Sequence, residues 1–582
     1  MATPLPNFDE GSVPLAQIRD EARKLLIDAL DSRRGKKVLV LDPKISGFLG
    51  MLAEVPLLKE HGVEQLLHLG SEPFGDLGCR SVIYLVRSRI ENAQLIAQQV
   101  KASNRQGAQL EYSVFFLPRR TIVCEKVFEE EGVTGDVIIG EYPLDFIPFD
   151  YDVLSLEQDT ACKELAHLGT IPAVKGKGTA AAAVLDMLSR MRKEPGADAG
   201  PGSGAIDMLV LLDREVDCVT PLCTQLTYEG LADEVLRIRN GCVQLDQGGS
   251  KTRIVLNSAD RVFRDLRDLS FAAVGPQLGA RAKMLQSDYK DTKAAERSLS
   301  ELKEFAAQLK TLPHITRHIN LAEQISRQIG AQNFRDRVTV EQAVLDGHGT
   351  DASCEAIEEM MYGEEELMGV LRLMCLISLT QGGVPKKQFD ALRKEVLHTY
   401  GHEHILTLTS LQDAGLLRRQ EGGKSSFGAL KRALKLLVDD IDDKNPTDVA
   451  YTFSGYAPIS IRLVEAAVKA GGWGALEEVF KLLPGPHFDV VQTTDENGMP
   501  VERSTRNKPV PGLDSKKRLV VLVMFIGGVT FAEIAALRFL STQPNVNCDF
   551  VVATTKLING STLLESFVDE TVQQAMKQAK LE

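Results

Sequence analysis

The chain is predicted to combine α/β and all-α architecture: two α/β domains on parallel sheets, with a large helical domain inserted in the second. Three observations predict it. Short β-rich runs alternate with helical stretches through the first third, the rhythm of a parallel sheet. Two near-continuous apolar runs, Ile206–Leu212 and Leu519–Ile526, stand about 300 residues apart and read as strands of one sheet. Nearly everything between them reads as helix, so the simplest account is that the chain leaves the second α/β domain, folds separately and returns to complete it. At 582 residues the chain also exceeds what one hydrophobic core normally serves.

In order along the chain, the strand candidates of the first domain are Lys37–Leu41, Gln65–Leu69, Ser81–Val86, Tyr112–Leu117 and Val137–Ile139. Between them Arg89–Lys101 places Ile90, Ala93, Ile96 and Ala97 three or four apart, the spacing of a helix packed on one sheet face. Within the insertion, Ala259–Leu269, Arg281–Tyr289, Leu299–Leu309 and Ile315–Ile329 show helical periodicity and are rich in good helix formers. Leu302, Phe305, Leu309 and Leu312 recur at spacings of three and four until Pro313, where the helix should bend or end. Such a stripe suits ordinary core packing as well as a docking face. A second helical block starts near Met360, with Leu367–Leu379, Lys386–Tyr400, the Gly422-Gly423 turn and the stripe Phe427, Leu430, Leu434, Leu437. Lys193–Gly204 and Thr493–Lys516 read as surface segments.

Hydrophobic residues make up 44% and charged residues 25% of the chain, values of a folded soluble protein. The formal charge of -13 argues against a nucleic-acid binder, which needs a basic surface, and disfavours direct binding to anionic lipid. The longest apolar runs, Leu519–Ile526 and Met208–Leu212, fall far short of the roughly 20 residues of a spanning helix, and no signal-peptide core or lipidation motif is evident. A cytosolic chain whose membrane association is indirect is therefore expected. Nine cysteines without a C-x-x-C pair are expected to be reduced core thiols; Cys218 and Cys223 lack two further ligands for a metal.

Motifs that would carry chemistry are incomplete. Gly169–Thr179 (GTIPAVKGKGT) has glycines, lysines and a threonine but not the G-x-x-x-x-G-K-[ST] spacing that wraps phosphates, so a plain loop leading into a helix is preferred. Gly527-Gly528 precedes Phe531–Leu540 without a full dinucleotide fingerprint and reads as a structural turn. Asp213, Glu215 and Asp217 cluster at a strand end, where Arg214 among them favours a hydrogen-bonded network over a cation site. His402-Glu403-His404 lacks the H-E-x-x-H spacing, and no nucleophile elbow occurs. No catalytic residue, metal site or cofactor is assigned.

IDMLVLLDREVDCVTPLCTQLTYEGLADEVL (Ile206–Leu236) resembles the signature of the Sec/Munc (SM) family, with Asp213, Arg214, Asp217 and Pro221 as its structural residues. FLPRRTIVCE (Phe116–Glu125), GEYPLDFIPFDYDVLSLE (Gly140–Glu157), NPTDVAYTFSGYAPISIRLVE (Asn445–Glu465), LLPGPHF (Leu482–Phe488) and FIGGVTFAEIAALRFL (Phe525–Leu540) carry the similarity through nearly the whole chain, closest to the vacuolar protein-sorting branch. The resemblance implies a non-enzymatic, arch-shaped protein. Its domains would be an α/β domain over 1–133, a discontinuous α/β domain over 134–226 and 480–582, a helical hairpin over 227–355 and a compact helical part over 356–479. After DVLSLE the family usually carries a longer stretch with a helix; here Gln158–Leu168 stands in its place.

The resemblance further implies regulation of SNARE-mediated membrane fusion at late endosome, vacuole and lysosome. Qa- and R-type SNARE motifs would be held in alignment, removing part of the ordering entropy that delays bundle formation. The hairpin from Asp260 to Ile325 is the implied platform, with Asp260, Arg267, Asp268, Leu302, Phe305 and Leu309 as contributors. Membership of the HOPS and CORVET tethering complexes is also implied, through a helical-solenoid class C vacuolar sorting subunit docked on 356–479. Phe427 and Leu430 open an amphipathic helix after a glycine turn and are the candidate anchors, a buried core helix being the alternative. Two rival classes stand beside this: a nucleotide-binding α/β enzyme, which ATP or NAD would stabilise, and a pure tethering scaffold, which would bind the solenoid but not SNARE motifs.

Overall fold

Continuous apolar runs become the inner strands of two sheets in the computed structural model of the chain. The structure describes residues 11–156, 171–191, 206–294, 311–494, 500–504 and 518–569, apart from 14, 44, 71, 73, 76, 108, 145, 172, 248–249, 421, 423–424 and 470. Gln158–Leu168, Lys193–Gly204, the helix expected over Leu299–Leu309 and most of Thr493–Lys516 lie outside them. Two units are formed, Met1–Leu156 with Arg239–Cys242, and Glu157–Ile238 with Val243–Glu582.

The first unit is a five-stranded parallel sheet. Its strands are β1 (Lys37–Leu41), β2 (Val63–His68), β3 (Ser81–Arg87), β4 (Glu111–Leu117) and β5 (Val137–Glu141), in the order β2-β1-β3-β4-β5. The helices are α1 (Leu15–Asp31), α2 (Ser46–Leu52), α3 (Val55–Glu60), α4 (Ile90–Arg105) and α5 (Ile122–Glu130). Alternation along β3 divides two cores: Val82, Tyr84 and Val86 pack with Ile96 of α4 and Phe128 of α5, while Ile83 and Leu85 pack with Leu26 of α1 and Leu58 of α3. A strand buried on both faces has no polar side, which is why these runs are continuous. β6 (Ile147–Asp150) and β7 (Val153–Ser155) pair with each other as an antiparallel hairpin outside this five-stranded sheet. Because β5 hydrogen-bonds to β4 and the unit runs to Leu156, the boundary expected at 133 falls later in the chain.

In the second unit β8 (Ala173–Lys177) leads into α6 (Thr179–Met191), then β9 (Met208–Asp213), α7 (Val219–Leu222) and α8 (Tyr228–Leu236). β10 (Cys242–Gln247) and β11 (Ser250–Val255) make a two-stranded sheet. The helical stretch continues with α9 (Arg261–Leu266), α10 (Phe271–Ala294), α11 (Leu312–Ile329), α12 (Gln332–Asp346), α13 (Thr350–Tyr362), α14 (Leu367–Gln381), α15 (Lys386–Tyr400), α16 (His404–Asp413), α17 (Phe427–Ala433), α18 (Ile459–Val468) and α19 (Glu477–Leu482). The chain then returns through β12 (His487–Thr494), β13 (Pro500–Ser504), β14 (Leu519–Ile526), α20 (Phe531–Thr542), β15 (Cys548–Thr554) and α21 (Gly560–Glu565).

β14 lies parallel beside β9, pairing Val521 with Met208 through to Ile526 with Asp213. The two apolar runs are thus neighbours in one sheet, and the helices between them are an insertion, as their pattern predicts. β8 continues the sheet from β9, β15 lies on the far side of β14, and β12 and β13 add an antiparallel edge. That edge lies partly within Thr493–Lys516, a stretch the composition assigns to a surface segment. GTIPAVKGKGT likewise holds strand β8 rather than a loop throughout, and the Lys177 ammonium is buried against the carbonyls of Phe480 and Leu483, each at 3.1 Å. Pro313 stands in the first turn of α11, where its missing N–H costs nothing, so it opens a helix instead of ending one.

Candidate functional site

The SM-like signature builds the exit from the second sheet. Asp213 Oδ2 accepts from the Ala180 amide at 2.7 Å and Glu215 Oε1 from the Thr179 amide at 2.6 Å, so both carboxylates cap the start of α6. Arg214 is buried, with Nη1 at 3.0 Å from each Glu533 oxygen and donating to the Gly528 carbonyl at 3.3 Å. Asp217 accepts from the amides of Thr220 and Ser460, both at 3.0 Å, and Pro221 is buried in α7. Backbone amides and Arg214 engage this carboxylate cluster. At the Gly527-Gly528 turn φ is positive at both residues, and a Cβ on Gly528 would meet Ile558 at 2.8 Å, so glycine is required there by packing. Among the described residues no group of three or more His, Cys, Asp or Glu is placed to hold a metal ion.

The expected helical platform has its own buried core. Tyr228, Leu231, Phe263, Leu266, Leu278, Ile315, Leu321 and Ile325 join α8, α9, α10 and α11 in one cluster. At its centre Asp260 Oδ1 caps α9, accepting from the amides of Val262 at 3.0 Å and Phe263 at 3.2 Å. Its Oδ2 accepts from His314 Nδ1 at 2.7 Å and His318 Nε2 at 3.2 Å. On the other side of its ring, His318 Nδ1 lies 2.9 Å from the Tyr228 hydroxyl. Burial alone would push the Asp260 carboxyl up, but the hydrogen bonds and charges of His318 and His314 hold it well below the usual range.

This placement corrects part of the sequence expectation. Asp260 and Arg267 are 5% and 1% exposed, so both shape the platform from within and neither presents its charge to a partner. Asp268 is only half-buried: its Oδ1 accepts from Arg538 Nη1 at 2.9 Å and its carbonyl from the Tyr451 hydroxyl at 2.8 Å, tying the end of α9 to α20. Leu302, Phe305 and Leu309 lie outside the described residues. Among the described residues, the large apolar side chains left in solvent outward from the level of Leu278 and Ile315 are Met284 on α10, 68% exposed, and Leu312 on α11, 46% exposed. The helical periodicity leading up to Pro313 pointed to Leu312; nothing in the sequence marked Met284.

Phe427 and Leu430 are each 5% exposed, since α17 packs against α14, a helix buried almost all round. An anchor for a partner must be accessible, so the core alternative holds for both. The pairing of His314 and His318 with Asp260 was missed, although two histidines four apart on an otherwise apolar helix face were a visible sign of a buried acceptor.

Residues 37–566 match the Sec1 family. The chain is 41% identical over 596 residues to the vacuolar protein-sorting-associated protein 33 homolog of Arabidopsis thaliana, covering 97% of this chain and 99% of that protein. It is 38% identical over 604 residues to vacuolar protein sorting-associated protein 33A of Rattus norvegicus, covering 96% and 98%. Among solved structures it is similar in fold to the SM protein Vps45 in complex with the Qa SNARE Tlg2, with a TM-score of 0.54 at 18% identity over 95% of this chain and 98% of that one. The Unc18–syntaxin 1 complex from Monosiga brevicollis gives a TM-score of 0.55 at 16% identity over 95% and 99%.

Proposed function

The chain belongs to the Sec1 family of regulatory, non-enzymatic proteins, and we propose on that footing that it templates SNARE assembly during membrane fusion at the late endosome, vacuole or lysosome. What carries the proposal is the near full-length identity to vacuolar sorting proteins, joined to solved SM relatives of the same fold that are held in complex with a Qa SNARE or syntaxin. Qa- and R-type SNARE motifs are the ligands. The α10–α11 pair within 227–355 is their platform, braced by the Asp260–His318–Tyr228 chain and exposing Met284, Leu312 and the edge at Asp268, with Leu302, Phe305 and Leu309 as further contributors. A helix aligned on a rigid surface has already given up its orientational freedom, so a second helix adds at lower entropic cost.

The compact helices of 356–479 dock the chain on a helical-solenoid class C subunit of the HOPS and CORVET complexes, which brings it to the membrane. The test mixes the purified chain with the cytosolic segments of a Qa- and an R-SNARE and follows bundle formation by fluorescence transfer. A ternary complex and faster zippering are expected; SNARE segments that neither bind nor assemble faster beside the chain overturn the proposal. Co-purification with the solenoid subunit tests the second part separately.

A further inference from the structure

We propose that the outer face of α15 is a direct contact surface for the anionic headgroups of a lipid bilayer, independent of any SNARE or tethering partner. The helix carries Lys386, Lys387, Arg393 and Lys394 against Asp390 and Glu395. Its apolar stripe, Phe389, Leu392 and Val396, is buried, which turns Lys386, Lys387 and Lys394 into solvent with Arg393 half-buried beside them. Val384 bridges to Arg419 just before the helix: its amide donates to the Arg418 carbonyl, and its carbonyl accepts from the Gln420 amide, each at 2.8 Å. Exposed Arg418 and Arg419 are thereby set next to the first turn of α15. Arg419 lies 5.2 Å from the centre of the Phe389 ring and pairs with Asp390, engaging the one carboxylate that stands between the lysines.

Among the described residues no carboxylate lies within ion-pair distance of Lys386, Lys387, Arg393, Lys394 or Arg418. Lysines in the first turn of a helix also face the positive end of its dipole, where carboxylates are favoured. Of the carboxylates near this face, Asp390 is taken by Arg419 and Asp351 accepts from the Gln388 amide at 2.7 Å, whereas the negative surface of a bilayer would meet the lysines directly. The total charge of -13 hides the patch, because screening confines each field to about 8 Å and the local cations govern what approaches. The exposed cations are spread over one helix and the neighbouring segment at Arg418 and Arg419, so an extended array of anions such as the headgroups of a bilayer complements them together.

The full chain is floated with vesicles of phosphatidylcholine alone or with phosphatidylserine, at low and high salt. Partitioning to the phosphatidylserine vesicles alone, abolished by high salt, is expected. Lys387→Gln with Lys394→Gln should lower it about tenfold or more, with the melting temperature unchanged. Should that pair lower the melting temperature, Lys386→Gln with Arg418→Gln decides instead. No preference for phosphatidylserine, undiminished partitioning by both pairs, or capture of polyglutamate without vesicle binding, which would assign the patch to an acidic protein, each overturns the proposal.

Discussion

Arg214 Nη1 stands 3.0 Å from both carboxylate oxygens of Glu533, across 319 positions of sequence. The pair joins the strand that leaves the second sheet to the helix that follows the returning strand, so it locks the two ends of the helical insertion. Burial opposes the arginine's charge, but Glu533 and Asp217 more than offset it. Removing one partner strands the other charge in the interior. Arg214→Met should therefore cost about 3–5 kcal/mol of unfolding free energy, while Arg214→Met combined with Glu533→Leu should cost less than the two single changes together. Urea unfolding measures both; a single loss below about 1 kcal/mol would show that the pair is not buried as described.

Phe427→Asp provides a second test of burial. A carboxylate at a 5% exposed position against α14 finds no partner, so a loss of about 3–5 kcal/mol and a poor yield of folded chain are expected. An unchanged melting temperature together with lost binding to the solenoid subunit would instead restore this residue as an anchor.

Legibility in the sequence followed burial and period. β1 and α15 were marked at both ends because one is a continuous apolar run and the other a clean amphipathic repeat bounded by Pro385 and Gly401. β12 and β13 were not seen, since an edge hairpin such as HFDVVQTT and PVERS has no buried run to announce it. β6 and β7 were too short to show alternation. The apolar stripe at Phe427 and Leu430 was visible, but a stripe tells which face is covered and not by what. Asp260 was singled out, yet its role was not, because His314 and His318 reach it across 54 and 58 positions and only the fold brings them together.

Asp233 makes stability depend on pH. Burial pushes its carboxyl up to about 7, only partly opposed by the Asn559 amide at 2.8 Å. Unfolded, the group titrates near 4. The folded state therefore retains a proton that the unfolded chain releases, so the contribution is greatest below about pH 4 and is lost as pH rises to about 7. That loss is at most about 4 kcal/mol. Asp233→Asn, which cannot ionise, should flatten the fall in stability between about pH 5 and 7. Urea midpoints across that range decide it, and parallel slopes for wild type and variant would show that Asp233 ionises freely.

The exposed and buried parts of the α10–α11 platform should separate cleanly. Met284→Asp with Leu312→Asp places charge where both side chains are already in water, so the melting temperature should hold while SNARE capture falls about tenfold or more. Asp260→Ala removes the cap of α9 and leaves two imidazoles without their acceptor, so it should destabilise the chain by about 2–4 kcal/mol, and SNARE binding should fail only as the platform loosens. Because the Asp260 carboxyl is held below its usual range, its contribution is present above about pH 4 and lost in more acidic solution. Hydrogen exchange on α11 distinguishes the two: the Asp260 variant should lose protection there and the surface pair should not. Capture that survives the surface substitutions would move the SNARE-binding face elsewhere on the chain, whatever the platform's stability.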